Sequence, residues 1–308
     1  MEHISRPRVG HIQFLNCLPL YHGLVRSAAL LDLELRKGTP TELNRMLLAG
    51  ELDVSPISSV TYLRHADDLL VLPDIAVSAD GPVRSIAFVS RRPVEDLDGA
   101  TVALANTSAT SVALLDILLR ERWRVRIESF SCPPDLARML EEADAALLIG
   151  DDALRATVAA SRAATSDPVH VYDLGSEWKA HTGLPMVFAV WAVRRDWAAA
   201  YPELVRAVHQ AFQFSLRHSI TEVDAIAAAV ARWEPFDAAF LADYFRALRF
   251  RLGSRERAGL QAFAARLVAC DDSGLAEVPT PKFADVGDPV RGFGWRGDTR
   301  GLGAGAGV

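Results

Sequence analysis

The amino-acid sequence predicts an α/β protein of two lobes joined by two chain crossings, with a cleft between the lobes. Three observations lead there. Short apolar runs alternate with helical patterns over most of the chain. The alternation restarts near residue 101 after a long apolar strand, and a second long apolar strand closes the restarted unit. A length of 308 residues, at ~100–200 residues per domain, suits two compact units that each bury a core.

In the first unit, strand-like runs at residues 8–14, 33–36 and 53–55 are each followed by a helical pattern, at 18–26, 42–49 and 60–65. This is the rhythm of a mostly parallel sheet. The second unit repeats it with strands at 101–105, 126–131, 145–149 and 169–172 and helices at 112–121, 134–141 and 153–160. The bracketing strands are 84–90 and 186–194. From 197 to 270 the pattern is helical, with Val205, Val208, Phe212 and Leu216 on one face and Phe240, Tyr244 and Leu248 on another. If both bracketing strands cross between lobes, residues 1–83 and 190–283 form one discontinuous lobe and 84–189 an inserted one. Ligands would then bind between them, at strand carboxyl ends. Residues 284–308 are glycine-rich without apolar period, and a mobile tail is expected there.

Composition excludes several classes. Half the residues are apolar and the net charge is −6, from 33 basic and 39 acidic groups, so the chain is neither disordered nor fibrous. Basic residues are not clustered, which argues against a nucleic-acid partner. Cys17, Cys132 and Cys270 show no metal-ligand spacing, so no metal and no disulfide framework are expected. No window approaches the ~20 apolar residues of a membrane span. Arg6 and Arg8 precede a fairly apolar stretch, as in an export signal, but His11, Gln13, Asn16 and Pro19 interrupt it. A cytoplasmic location is therefore expected.

Four segments carry the chemistry. In residues 13–19, Asn16 lies between the first strand and first helix, where its amide would either cap that helix or face a ligand. Cys17 beside it has nothing to lower its pKa and reads as a buried thiol. In residues 106–111, Asn106, Thr107, Ser108, Thr110 and Ser111 crowd one helix start. One cap needs one such residue, so this reads as an anion cradle on the positive end of a helix dipole. Without the glycines and lysine of a nucleotide loop, it suits a carboxylate better than a nucleotide phosphate. Ser58 and Ser59 follow a third strand and can cap or bind, while Ser85 opens the first crossover strand. Arg84 beside it would neutralise a carboxylate unless simply solvated. Gly150 permits a tight turn, after which Asp151 either caps its helix or meets a ligand hydroxyl as acceptor or acid. Residues 178–186, ending at Met186, would wall the cleft or merely pack. His11 alone among the histidines lies near a motif, and reads as a packed side chain.

These residues permit a carboxylate receptor or an enzyme equally. Residues 8–21, RVGHIQFLNCLPLY, resemble the opening signature of the chorismate dehydratase family, which starts the futalosine route to menaquinone. Residues 73–77, 80–83, 107–111, 132–136, 143–151 and 178–192 agree with it in order, so the resemblance spans about residues 8–270. It implies a fold similar to type II periplasmic binding proteins, and conversion of chorismate to 3-[(1-carboxyvinyl)oxy]benzoate and water without metal or organic cofactor. It also implies substrate contacts at Asn16, Ser85 and residues 107–111, and less directly Asp151; it lends no support to Arg84. The proton on C3 of chorismate is activated through the ring carboxylate, so donors aimed at that carboxylate would stabilise the growing charge. The motifs offer no His or Glu as base. The substrate's own enolpyruvyl carboxylate is the expected base, with Asp151 its rival. Competing readings are an exported receptor for a small carboxylate, an effector-sensing domain, and the sibling enzyme acting on a cyclic futalosine. Oligomeric state stays open.

Overall fold

The computed structural model describes residues 6–27, 29–162, 169–270 and 274–287. Two five-stranded sheets, each flanked by helices, form two lobes. The first sheet is built from β1 (Arg8–Ile12), β2 (Glu34–Gly38), β3 (Val54–Ser58), β4 (Leu69–Ala79) and β10 (Met186–Arg194), in the order β2-β1-β3-β10-β4. The second contains β5 (Ile86–Ser90), β6 (Ala100–Ala105), β7 (Ile127–Cys132), β8 (Ala145–Ile149) and β9 (His170–Asp173), in the order β7-β6-β8-β5-β9. In each sheet one strand opposes its neighbours: β10 is antiparallel to β3 and β4, and β5 to β8 and β9. These two are the strands by which the chain enters a sheet from the other lobe, so each lobe repeats one topology.

Helices follow the strands as the alternation predicts. Lobe one carries α1 (Leu18–Arg26), α2 (Pro40–Leu48) and α3 (Ser59–Arg64), and lobe two α4 (Ala109–Leu118), α5 (Leu136–Glu142), α6 (Gly150–Arg162) and α7 (Leu174–Thr182). Of these, α7 was read as a wall rather than a helix; Asp173 caps it and Gly183, at φ 73°, ends it. The C-terminal helices are α8 (Arg195–Ala200), α9 (Pro202–Thr221), α10 (Val223–Val230), α11 (Ala238–Ala247) and α12 (Ser254–Val268). The expected faces on α9 and α11 are buried: Val205, Val208, Phe212 and Leu216 on one, Tyr244 on the other. Lobe two shows the strand period directly. Ala87, Val89, Ala146 and Leu148 join a small core on one face of the sheet, while Phe88 and Leu147 join the main core on the other.

The first crossing, residues 80–85, is tied to the second, residues 183–185. Asp173 accepts hydrogen bonds from the backbone of Val83 (3.0 Å) and Arg84 (2.6 Å). Asp80 takes Lys179 at 2.5 Å and Arg255 at 3.3 Å, and Lys179 also donates to the Gly183 carbonyl at 2.8 Å. The indole of Trp178 donates to the Pro185 carbonyl at 3.2 Å.

Two boundaries differ from expectation. Met186 already pairs with Ala79 in the first sheet, so the return crossing precedes β10 rather than falling at residue 190. An apolar run marks a strand but not the sheet it joins. Ala284 is buried rather than free, with Lys282 and Ala284 exchanging backbone hydrogen bonds with Val71 at 2.8 and 2.9 Å. The open edge of β4 captures this segment. The rest of the expected tail, residues 288–308, lies outside the described residues.

Candidate active site

A cavity of about 50 Å³ lies between the lobes, where the carboxyl ends of both sheets meet. Its walls are set by register. Val77, Ala189 and Ser58 form one row across β4, β10 and β3, and Ile86 and Ile149 pair across β5 and β8. Asn16, Ser85, Ser108 and Ser111 supply polar groups beside Ile12, Phe14, Pro40 and Phe188. Among the described residues, no Lys, Arg, His, Asp or Glu lines this cavity.

Asn16 sits in a short 3-10 turn, Leu15–Cys17, and caps nothing: Cys17 occupies the N-cap of α1, without a side-chain hydrogen bond. The Asn16 Oδ1 is buried and unpartnered. A buried acceptor left unpaired costs ~1–3 kcal/mol, so it awaits a donor. Ser58, by contrast, is committed: its hydroxyl caps α3 at Thr61 and is held by Asn44 Nδ2 at 3.2 Å. Ser59 donates to the Val187 carbonyl at 2.7 Å.

Across the cleft, Ser108 caps α4 and donates to the Ser111 hydroxyl at 2.9 Å. Thr107 Oγ1 is buried and unpartnered, although Thr107 does not line the cavity. Two cradle residues hold the lobes together instead. Thr110 Oγ1 accepts from Val60 N at 3.2 Å, and the Asn106 carbonyl accepts from Thr41 at 3.2 Å. Asn106 is exposed and off the cavity wall. Met186 is fully buried and also off the wall; Phe188 and Ala189 further along β10 take the place read for it.

Ser85 is buried at the end of the first crossing, its carbonyl receiving Gly150 N at 2.7 Å. Gly150 adopts φ 63°, and a Cβ there would lie 2.9 Å from the Phe14 ring. Both the turn and the ring packed against it therefore require glycine. Asp151 does not line the cavity. Its carboxylate accepts Leu15 N from the opposite lobe at 3.0 Å rather than capping its own helix. Burial pushes the Asp151 carboxyl up to about 6, with the Leu15 N–H pulling the other way. Cys17 is raised by burial and then by the nearby Asp151, which leaves it an inert thiol. His11 stacks on Tyr21 at 3.7 Å and is lowered to about 4 by burial and then Lys37, so it is neutral.

The sequence reading missed the apolar walls, because Val77, Ile86, Ile149 and Phe188 look like ordinary strand interior. It also missed Tyr244 as a polar neighbour. The Tyr244 hydroxyl is buried beside Ser85, and its pKa is raised by that burial, with Ser85 pulling the other way.

Two α/β lobes meeting at a small cavity of apolar walls and uncharged polar groups define a protein of the periplasmic-binding-protein architecture. The chain superposes on an Archaeoglobus fulgidus crystal structure with TM-score 0.69 at 20% identity, covering 87% of this chain and 98% of that one. It superposes on the periplasmic aliphatic sulphonate binding protein of Escherichia coli with TM-score 0.60 at 16% identity, covering 91% and 94%. At such identities the likeness is one of fold. Residues 7–269 match the menaquinone biosynthesis family, and the chain belongs to it. It is 35% identical over 277 residues to the chorismate dehydratase of Thermus thermophilus, covering 85% of this chain and 96% of that relative.

Proposed function

We propose that this protein is a chorismate dehydratase, converting chorismate to 3-[(1-carboxyvinyl)oxy]benzoate and water. The observation that carries the reading is the interlobe cavity, whose polar groups among the described residues are all neutral and include the orphaned Asn16 Oδ1. A dianionic ring acid needs donors that strengthen as charge grows on its ring carboxylate. Ser111 and the N-terminus of α4 supply such donors, and Ser85 and Ser108 join them by turning their hydroxyls from Val83 and Ser111 toward the substrate. A wall without basic side chains leaves the substrate's enolpyruvyl carboxylate unpaired enough to act as a base.

The cavity is far below the ~300–1,000 Å³ of a typical small-molecule pocket. Substrate entry therefore opens the lobes, breaking the bonds Leu15–Asp151, Val60–Thr110 and Thr41–Asn106. The lobes then close around the substrate in a cavity wider than the empty one, which excludes water and holds the enolpyruvyl carboxylate against C3. The C3 proton moves to that carboxylate and the electron pair spreads onto the ring carboxylate. The C4 oxygen next departs, taking a proton, as water, and the ring becomes aromatic. Asp151, with its raised pKa, stands at the cavity's edge as the alternative proton carrier.

Incubation with chorismate, followed by absorbance and mass of the aromatic enol ether, tests the reading. Chorismate bound but recovered unchanged would instead support the receptor reading that the fold neighbours suggest.

A further inference from the structure

A second and larger concavity, about 1020 Å³, lies outside the cleft, between the first crossing, the end of α9 and the segment joining α11 to α12. Among the described residues six arginines line it against three carboxylates, on a chain whose net charge is −6. The carboxylates are spent. Asp80 holds Lys179 and Arg255, Asp74 faces Arg257 at 3.6 Å, and Glu256 takes Gly253 N at 3.0 Å. Arg246 is held by Asp224 at 2.6 Å. That leaves Arg84, Arg217, Arg249 and Arg251, which among the described residues have no carboxylate within 4.0 Å.

Two further features mark this as more than an arginine-rich surface. Ser219 lines the groove at 1% exposure, and its hydroxyl is buried with no partner. An orphaned hydroxyl in a wall of unpaired guanidiniums is a polar anchor without a ligand. The walls between the charges are apolar, from Leu216, Phe245 and Leu248, with Ile220 left 71% exposed.

We propose that this groove binds an organic dianion carried on an apolar body, with Arg84, Arg249 and Arg251 meeting the charges and Ser219 hydrogen-bonding one of them. Guanidinium pairs with planar oxyanions are the strong, directional kind, and the apolar walls account for the body. The ligand lies against the first crossing, separate from the cleft.

Naphthalene-1,5-disulfonate is the probe, titrated calorimetrically into the full chain at low salt. Binding is expected with dissociation constants raised at least tenfold in R249A/R251A, and severalfold in S219A. Asn16→Ala, which alters the cleft and not the groove, should leave it unchanged, and inorganic sulfate should bind at least tenfold more weakly. Among the described residues the altered side chains make no hydrogen bond or ion pair, so the variants should melt like the parent. Unchanged affinity in both groove variants, affinity lost in Asn16→Ala, or equal affinity for sulfate would each overturn the proposal.

Discussion

Asp151 offers the most quantitative test of how the cleft is built. Its carboxyl is raised from 3.8 to about 6, chiefly by burial between the closed lobes. A group whose folded pKa exceeds its unfolded value binds more protons when folded, so its stability contribution falls as pH rises through that window. The shift of about 2 units corresponds to about 3 kcal/mol of destabilisation, fully present above pH 6 and relieved as pH drops toward 3.8. Asp151→Asn keeps an acceptor for Leu15 N but removes the buried charge. At pH 8 the variant should therefore melt about 5 °C higher. About half of that free-energy gain should remain at pH 5. Melting temperatures of both proteins from pH 5 to 8 provide the measurement. A constant difference, or a variant less stable throughout, would refute the claim that burial of this carboxylate sets its pKa. Turnover of the same variant separates the two bases: substantial activity fits the substrate carboxylate, and near-complete loss with intact binding fits Asp151.

Other outcomes follow from the same geometry. Asn16→Ala should lower kcat by roughly 10²–10³ if its amide acts like an oxyanion-hole donor; a nearly full rate would remove it from the site. Gly150→Ala places a Cβ 2.9 Å from the Phe14 ring at φ 63°. It should cost about 1–2 kcal/mol and raise KM, since Phe14 lines the cavity; unaltered melting and KM would contradict the packing described. Asp80 is held below the usual carboxylate range by Lys179, so it stabilises above pH 4 and loses this as pH falls through its lowered pKa. Asp80→Asn should cost roughly 1–3 kcal/mol at pH 7, read by denaturant unfolding.

Much of the fold was legible because its signals are local. Two rounds of strand and helix, bracketed by strands 84–90 and 186–194, were visible as apolar period alone, and both brackets proved to be the crossing strands. The return point was misplaced because Met186 looks the same to its neighbours whichever sheet it joins. That residues 13–19 and 106–111 lie at strand-to-helix junctions was legible from position alone. Asn106 and Thr110 were grouped with Ser108 and Ser111 because polar residues at a helix start look alike in sequence, whereas in the structure the Asn106 carbonyl and the Thr110 hydroxyl meet Thr41 and Val60.

By itself, the order of residues determined which stretches become strands and helices, that two lobes alternate, and which junctions carry hydroxyls and amides, since all of these depend on neighbours within a few positions. Only tertiary structure decided which junctions meet. It brought residue 15 to residue 151, left Asn16 without a partner, and set Phe14 against Gly150. Those pairings depend on how two sheets close on each other, and burial, which raises the Asp151 pKa, exists only once they have closed.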